Sequence, residues 1–396
     1  MRKELIVFLT FLLFAGMNLP AQNPYIQHYT TVDGLPSNMV YQVYQDSRKF
    51  IWFATDAGVA KFDGSKFTYY RKHNGLNTNE VIRIKEDSSG RIWFFNLNAT
   101  LNFFYQNTIY NVSNAPYLDS LVSKEFFRDF YEDEDKTIYF YYNHQRDIFA
   151  LDSQNIVKKY KLPSVFTNSN EYPEVEPYEG MVLRYLTKAA TGKFYLWTGV
   201  GLFKLSNLAG ELTLVSDASA PIGIYPISDQ TCYLAQRIIK HRTEIKKCNI
   251  YHLKDSIPPL LISESELISS IFEDISGFLW VSTFDKGVFC YKENKIIRHL
   301  EIEEAQAIIQ DHEKNIWVSS LKDGVYKISP YLNHHLQYEC SSFQNSGISA
   351  LSNCTSNGVW CTNGKTVFLI RNNNLYTSDF QNEESSYNQI LWSGPQ

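Results

Sequence analysis

Asparagine, aspartate and lysine side chains recur at two loop positions of a repeated pattern, and together they could hydrogen-bond the hydroxyl groups of a sugar. Amides and carboxylates would orient such a ligand, and aromatic rings would supply apolar surface. The candidate ligand-binding residues at these positions are Asn38, Asp56, Asn79, Asn96, Asn98, Asp285, Lys286, Lys322 and Asp323, with Ser37, Asn77 and Phe284 beside them. The alternative is that these are ordinary solvated turn residues.

A second candidate is the irregular stretch 168–180, in which tyrosines and glutamates alternate around two prolines. It is too long for a tight turn, and long loops on rigid scaffolds often carry function. We predict that Tyr172 and Tyr178 contact the ligand by capping a channel. The alternative from composition is an acidic excursion without regular structure.

Three other patterns superficially resemble phosphorylation, metal or phosphate sites. His312-Glu313 resembles a phosphoacceptor histidine beside an acid, but it lies in a turn of the repeat. His334-His335 has no acidic or cysteine partner at ligand spacing, and Gly199-Val200-Gly201 opens no helix that would bind a phosphate. We therefore predict no catalytic residues, no metal and no cofactor.

The elements that position these residues belong to a repeat in which an aspartate is followed six residues later by an aromatic residue. The first two copies, Asp46 to Trp52 and Asp87 to Trp93, are 41 residues apart, which predicts a repeat architecture. The aspartate would cap a tight turn and the aromatic ring would fill the wedge between neighbouring units. We assign to this structural repeat Asp46, Trp52, Asp87, Trp93, Asp274, Trp280, Asp311, Trp317 and Trp360.

One repeat contains four short strand patterns separated by turn residues. In the first copy these patterns cover 40–45, 50–55, 59–62 and 66–70. The sequence therefore predicts an all-β fold, a β-propeller of four-stranded antiparallel blades, with seven or eight blades or with seven plus the start of a second ring. The segment Tyr25 to Tyr29 could supply the closing outer strand of the last blade.

The amino terminus predicts export. Arg2 and Lys3 precede an apolar run that ends at Leu19-Pro20-Ala21, which is typical of a signal peptide cleaved near Ala21 and followed by a periplasmic or secreted chain. An uncleaved anchor is the alternative. We expect a signal peptide over 1–21, blades one to seven over 22–330, and an eighth blade or a truncated second propeller over 331–396.

Charge and cysteine content restrict the partners further. The formal net charge is -5 and basic residues are scattered, which argues against a nucleic-acid partner. Cys232 with Cys248, or Cys354 with Cys361, could face each other on neighbouring strands and oxidise outside the cytoplasm. Packing as small apolar residues is the alternative.

The strings 33–38, 46–59 and 62–64, which read DGLPSN, DSRKFIWFATDAGV and FDG, resemble the two-component regulator propeller repeat. That repeat occurs in the periplasmic sensor regions of bacterial histidine kinases. The resemblance implies an extracytoplasmic propeller that senses a small ligand, often a carbohydrate, and passes the signal across the membrane. Relatives continue into an immunoglobulin-like domain, a membrane helix and a kinase core. This sequence departs from them after Trp360, which leaves a truncated sensor or a free-standing propeller as alternatives.

Three functions fit these observations. The leading hypothesis is a non-enzymatic, ligand-sensing propeller of a two-component system, with an oligosaccharide as ligand, a membrane sensor kinase portion as partner in cis or in trans, and a homodimer as a further option. A propeller glycosidase or lyase would need paired carboxylates about 5–10 Å apart. Asp56, Asp285 and Asp323 are available, but they recur at a turn position. The third hypothesis is a protein-interaction scaffold.

Overall fold

The computed structural model describes residues 25–122, 127–142, 147–162, 183–189, 191–198, 201–208, 213–216, 221–226, 231–239, 242–249, 261–263, 267–329, 350–351, 359–362, 367–371 and 374–378. The chain divides into two compact units, Pro24–Tyr331 and a second that comprises Met1–Asn23 and Leu332–Gln396. The described helices are two short 3-10 turns, Lys72–Asn74 and Pro116–Leu121. No described helix has the length and apolar character needed to cross a membrane. The predicted signal peptide lies outside the described residues.

The unit Pro24–Tyr331 contains seven four-stranded antiparallel sheets, which are the blades of a propeller. Blade 1 consists of β2 (Val40–Gln45), β3 (Ile51–Thr55), β4 (Gly58–Phe62) and β5 (Phe67–Tyr70). Blade 2 consists of β6 (Val81–Glu86), β7 (Ile92–Asn96), β8 (Leu101–Tyr105) and β9 (Thr108–Tyr110). Blade 3 consists of β10 (Phe127–Glu132), β11 (Ile138–Tyr142), β12 (Asp147–Leu151) and β13 (Val157–Lys161).

The remaining blades follow the same order from the channel outward. Blade 4 consists of β14 (Leu183–Lys188), β15 (Phe194–Thr198), β16 (Gly201–Leu205) and β17 (Thr213–Ser216). Blade 5 consists of β18 (Pro221–Pro226), β19 (Thr231–Ile239), β20 (Arg242–Asn249) and β21 (Leu261–Ser263). Blade 6 consists of β22 (Ile268–Glu273), β23 (Leu279–Thr283), β24 (Gly287–Lys292) and β25 (Lys295–Leu300). Blade 7 consists of β26 (Ala305–Gln310), β27 (Ile316–Ser320), β28 (Val325–Ser329) and, as its outer strand, β1 (Tyr25–Tyr29).

The predicted all-β propeller is confirmed, and its ring has seven blades. The second unit contains one further antiparallel sheet of four strands, β29 (Ala350–Leu351), β30 (Val359–Thr362), β31 (Val367–Arg371) and β32 (Asn374–Ser378). Trp360 lies on β30. That this sheet is an eighth blade or the start of a second ring stays a prediction.

The ring is closed by the amino-terminal strand. β1 pairs antiparallel with β28, with Tyr25 opposite Ser329 and Tyr29 opposite Val325. The first strand of blade 1 contacts the first strands of both blade 2 and blade 7. Gly324 allows the close approach of the two closing strands, because its φ is 73° and a Cβ there would lie 2.2 Å from the Tyr29 carbonyl oxygen. The role predicted for Tyr25 to Tyr29 is confirmed.

The six-residue spacing of the repeat has a direct geometric cause. Asp46 accepts the backbone N–H of Phe50 at 2.9 Å on one carboxylate oxygen and the Trp52 Nε1–H at 2.8 Å on the other. One carboxylate therefore closes the turn and anchors the aromatic ring of the next strand. The corresponding aspartate-to-tryptophan distances are 2.7 Å for Asp87–Trp93, 2.9 Å for Asp274–Trp280 and 2.7 Å for Asp311–Trp317.

Each anchored ring packs between its own blade and the next. The Trp52 ring centroid lies 5.8 Å from that of Phe94 and 5.2 Å from that of Phe104, both in blade 2. Trp317 of blade 7 packs in the same way on Phe53 of blade 1, at 5.8 Å. The core of the propeller is thus a series of interblade layers rather than one central cluster.

A second interblade contact repeats at the turn face. In each case the side chain at the end of a blade's first strand accepts a hydrogen bond from a backbone N–H of the preceding blade. That N–H belongs to the residue directly after the turn aspartate. These bonds are Glu86 to Ser47 at 2.6 Å, Glu132 to Ser88 at 2.7 Å, Gln310 to Ile275 at 3.0 Å and Gln45 to His312 at 2.8 Å. The last of them joins blade 1 to blade 7. His312 therefore takes part in a structural contact at ring closure.

Candidate functional site

The first strands of all seven blades surround a central cavity of about 760 Å³. This volume is in the range of small-molecule pockets. Each first strand contributes polar or apolar side chains to the wall, for example Tyr41 on β2, Arg83 on β6, Arg128 on β10, Tyr185 on β14, Tyr225 on β18, Ser270 on β22 and Gln306 on β26. We call this space the channel cavity.

The described charged residues that line the channel cavity lie on blades 2 and 3. Asp129 accepts a 2.6 Å bond from the Arg83 guanidinium on one oxygen and a 3.0 Å bond from Lys85 Nζ on the other. Lys85 also donates to the carbonyl oxygen of Phe130 at 2.6 Å, and its ammonium lies 4.5 Å from the Phe130 ring centroid. Arg128 lines the cavity from the strand position before Asp129. These four residues, Arg83, Lys85, Arg128 and Asp129, are the channel charge cluster.

Burial and neighbouring charges act differently on the members of this cluster. Burial would by itself raise the pKa of Asp129, but Arg83 and Lys85 outweigh it, so the pKa lies below its usual value and the carboxylate is ionised. Burial lowers the pKa of Arg128, and the like charge of Arg83 adds to this effect, although Tyr141 and Asp129 oppose it. The arginine nevertheless stays protonated at neutral pH. The cluster thus contains a cation, Arg128, whose charged form is disfavoured by burial.

The other described residues of the cavity wall are uncharged. Tyr225 donates its hydroxyl proton to the carbonyl oxygen of Ile268 at 3.0 Å, and Tyr41 donates to Glu80 at 2.7 Å. Burial raises the pKa of Tyr141, so this phenol is neutral at physiological pH. Serine, glutamine and isoleucine side chains of blades 6 and 7 complete the wall. This wall can offer hydroxyl, amide and apolar contacts to a ligand.

The predicted loop residues lie at the ring face where the first and third strands of each blade begin. Asn38 and Asn79 hold equivalent loops in blades 1 and 2, because their side-chain oxygens accept the backbone N–H of Thr31 and of Lys72, each at 2.9 Å. Asn77 donates to the carbonyl oxygen of Leu101 at 3.3 Å. These amide groups stabilise the loops that carry them.

Several of the other predicted residues also bond to nearby groups of the protein. Asn98 accepts the Thr100 hydroxyl at 2.7 Å, and the buried Asn96 donates to Asn102 at 2.9 Å. Asp323 accepts the Tyr326 hydroxyl, and its backbone carbonyl lies 2.6 Å from His28 Nε2. Likewise, the backbone carbonyl oxygen of Lys286 lies 2.6 Å from His299 Nε2.

The remaining predicted residues have exposed side chains or lie elsewhere. Asp56, Asp285 and Phe284 are exposed at the loop face, and the ammonium of Lys322 bonds to Glu303. Tyr172 and Tyr178 lie outside the described residues. Of the predicted residues that the structure describes, none lines the channel cavity.

Sequence analysis did not single out the channel charge cluster. The signal was present in the alignment of the blades on their turn aspartates. The position four residues before that aspartate is Gln42, Arg83, Asp129, Ser270 and Ala307 in blades 1, 2, 3, 6 and 7. Arg83 and Asp129 are charged at this position on a first strand, whereas the other three blades have uncharged residues there.

Metal-binding side chains and the Cys232–Cys248 pair are two further possible kinds of site. Among the described residues, no cluster of histidine, cysteine and acidic side chains is arranged to hold a metal ion. Cys232 and Cys248 do face each other on neighbouring strands, with 3.5 Å between their sulfur atoms, and both are buried free thiols. The hydrogen bond to Cys248 and burial raise the pKa of Cys232, so this thiol is unreactive as it stands. Cys354 lies outside the described residues.

Comparison with known proteins agrees with the β-propeller fold and matches one repeat of a known family. Residues 34–57 match the family described as the two component regulator propeller. The resemblance predicted from the sequence is confirmed: the chain carries the two-component regulator propeller repeat. No curated protein matches the chain.

Solved propellers with several different roles resemble the chain. The extracellular domain of the hybrid two component system BT3049 from B. thetaiotaomicron has a TM-score of 0.56 and 19% identity, covering 89% of this chain and 49% of that one. A streptogramin B lyase has a TM-score of 0.54 and 14% identity, with 78% and 98% covered. PorZ, a surface component of the type-IX secretion system of Porphyromonas gingivalis, has a TM-score of 0.53 and 13% identity, with 90% and 56% covered.

At these identities the likeness shows the propeller fold. The chain spans about half the length of the BT3049 domain that it matches.

Proposed function

We propose that this chain is the ligand-sensing propeller of an extracytoplasmic receptor in a two-component signal transduction system. The observation that carries the proposal is the two-component regulator propeller repeat at residues 34–57. The similar extracellular domain of BT3049 supports the same role and an extracytoplasmic location.

The proposed ligand site is the channel cavity, with the loop residues of the adjacent ring face, including Asp56 and Asp285, as its rim. A small carbohydrate-derived ligand fits this wall, because tyrosine, serine and glutamine side chains can bond hydroxyl groups while isoleucine and phenylalanine side chains contact the apolar faces of a sugar ring. The partner would be a membrane sensor kinase portion, in cis or in trans. Signalling requires that the ligand bind two states of the receptor with different affinity.

An enzymatic function is the less favoured reading. A glycosidase of the two-carboxylate type needs a pair of acids about 5–10 Å apart. Among the described residues that line the channel cavity, the only carboxylate is Asp129, and it is paired with two cations. The fold similarity to streptogramin B lyase does not by itself carry that activity to this chain.

Deletion of the gene in its source organism tests the proposal. We expect the deletion to abolish the transcriptional response to one soluble glycan, leave the responses to other glycans unchanged, and be reversed by the intact gene. The same glycan should raise the melting temperature of the purified protein. Normal responses to every glycan in the deletion strain would contradict the sensor role.

A further inference from the structure

The channel charge cluster is electrostatically unbalanced. Three cations, Arg83, Lys85 and Arg128, line the cavity together with one carboxylate, Asp129, which leaves a net charge of +2 from the described lining residues (three minus one). The protein as a whole has a formal net charge of -5, so this excess is local and opposite in sign to the rest of the molecule.

Asp129 accepts hydrogen bonds from two of the cations, Arg83 and Lys85, one on each of its oxygens. In addition, one oxygen accepts the backbone N–H of Phe130 at 2.7 Å. The Nε atom of Arg83 is buried and has no hydrogen-bond partner among the described residues. A low-dielectric cavity strengthens both the repulsion among the cations and their attraction for an added anion.

We propose that the channel cavity binds its ligand through an anionic group, a carboxylate or a phosphate, held by Arg128 and Arg83. The proposal rests on the sensor function proposed above and specifies the ligand class of the same site. Guanidinium groups bind such oxyanions with paired, charge-assisted hydrogen bonds. Asp129 is a positioning residue, since it holds the Arg83 and Lys85 side chains at the cavity wall.

The uneven wall indicates which kind of anion fits. Among the described lining residues, the cations lie on blades 2 and 3, while those of blades 4 to 7 are tyrosine, phenylalanine, serine, glutamine, proline and aliphatic side chains. A ligand with a charged group at one end and hydroxyl groups or apolar surface at the other would match both sides. Acidic sugars and sugar phosphates have this character. A neutral oligosaccharide would not balance the excess positive charge of the described lining residues.

Calorimetric titration of the purified full chain at low ionic strength tests the proposal. The probes are digalacturonate, neutral galactobiose as its matched control, and inorganic phosphate. The variants are Arg128→Gln, Arg83→Gln and, as a control for charge removal outside the channel, Arg48→Gln in the exposed blade 1 turn. Melting curves confirm that each variant is folded.

We expect digalacturonate or phosphate to bind, galactobiose to bind much more weakly, and each channel variant to weaken anion binding by about tenfold or more. The Arg48→Gln control should bind as the parent does. Preference for digalacturonate would indicate an acidic sugar, and preference for phosphate a phosphate ester.

Equal binding of galactobiose, or anion binding that Arg48→Gln weakens as much as Arg128→Gln does, would overturn the anion proposal while leaving the sensor proposal standing. Binding of no anion would also overturn it. Conversely, anion binding that depends on Arg128, combined with normal glycan responses in the deletion strain, would support the anion site and refute the sensor role.

Discussion

Asp87 at the turn face of blade 2 and Asp129 at the channel side of blade 3 have different kinds of partner. Asp87 in the blade 2 turn is buried and bonds within its own turn, to Arg91 and Trp93. The same arrangement of aspartate and tryptophan recurs in blades 1, 6 and 7. Asp129 in blade 3 instead bonds across the blade boundary to Arg83 and Lys85, in a group that no other described blade reproduces.

This difference teaches how to interpret charge in a repeat protein. A charged residue that recurs in register serves the blade, because each blade must solve the same packing problem. A charged residue that breaks the register has no such structural reason. The channel charge cluster meets the second description, and Ser270 and Ala307 show that the equivalent positions accept small uncharged residues.

The largest expected effect is at a turn-face anchor. Trp52→Ala would remove a fully buried ring between blades 1 and 2 and leave Asp46 without its indole partner. We expect the free energy of unfolding to fall by about 3–5 kcal/mol. Urea denaturation measures it, with Trp52→Phe as a milder control. A loss below about 1 kcal/mol would show that the repeated ring is not a structural anchor.

The closing strand provides the next effect. In Gly324→Ala the new methyl group would collide with the Tyr29 carbonyl oxygen, whereas Gly64→Ala has no atom within 4 Å at a φ of 99°. The control should lose roughly 1–2 kcal/mol from backbone strain alone, and Gly324→Ala clearly more. Equal losses in urea denaturation would mean that ring closure tolerates displacement of β1.

Acid should affect an aspartate of each region. Hydrogen bonds and the Lys188 charge outweigh burial and lower the pKa of Asp133 in the blade 3 turn, as Arg83 and Lys85 do for Asp129 in the channel. Because both pKa values are lower in the folded state, their stabilisation is complete above about pH 4 and is lost as the pH falls through the folded pKa values.

Urea denaturation between neutral and acid pH measures this loss. Asp133→Asn and Asp129→Asn should each make stability less dependent on pH in the acid range. An unchanged dependence in either variant would show that its carboxylate does not contribute there.

The smallest effect is expected for the channel cations. Arg91→Gln in the blade 2 turn removes the 2.6 Å bond to Asp87 and should cost about 1–3 kcal/mol. Arg128→Gln removes a charge that burial disfavours, so we expect a smaller loss of stability than for Arg91→Gln. Denaturation of the two variants side by side compares the regions directly. An equal loss for Arg128→Gln would assign this arginine to the scaffold.

The repeat made the fold predictable. The aspartate of each strong turn marked where one strand ends and the next begins, and β2 begins and ends where the sequence pattern places it. The closing role of β1 was also predictable, because the seventh blade lacked an outer strand. The interblade bonds of Gln45 and Glu86 could not be predicted, since they depend on how far one blade is rotated from the next.

The candidate site was less predictable for a related reason. Loop residues such as Asn38 and Asn79 attracted interest by their chemistry, yet their 41-residue spacing marks them as repeated supports. Arg83 and Asp129 are 46 residues apart and become neighbours only because blades 2 and 3 are adjacent around a channel. The blade alignment was required to recognise them.

β1, at the amino-terminal end of the propeller sequence, completes blade 7 by pairing with β28 at its other end. The ring is therefore closed by strands from both ends of that sequence. The first described strand to be synthesised must wait, unpaired, until residues 325–329 have been synthesised, so the ring cannot be completed before then. A circularly permuted chain that starts at Val40 and carries Tyr25–Tyr29 directly after a short turn from Ser329 would form the same pairs without that wait. Because β1 and β28 would then be close in sequence, refolding of the permuted chain should be faster than that of the natural order, with the same final ring.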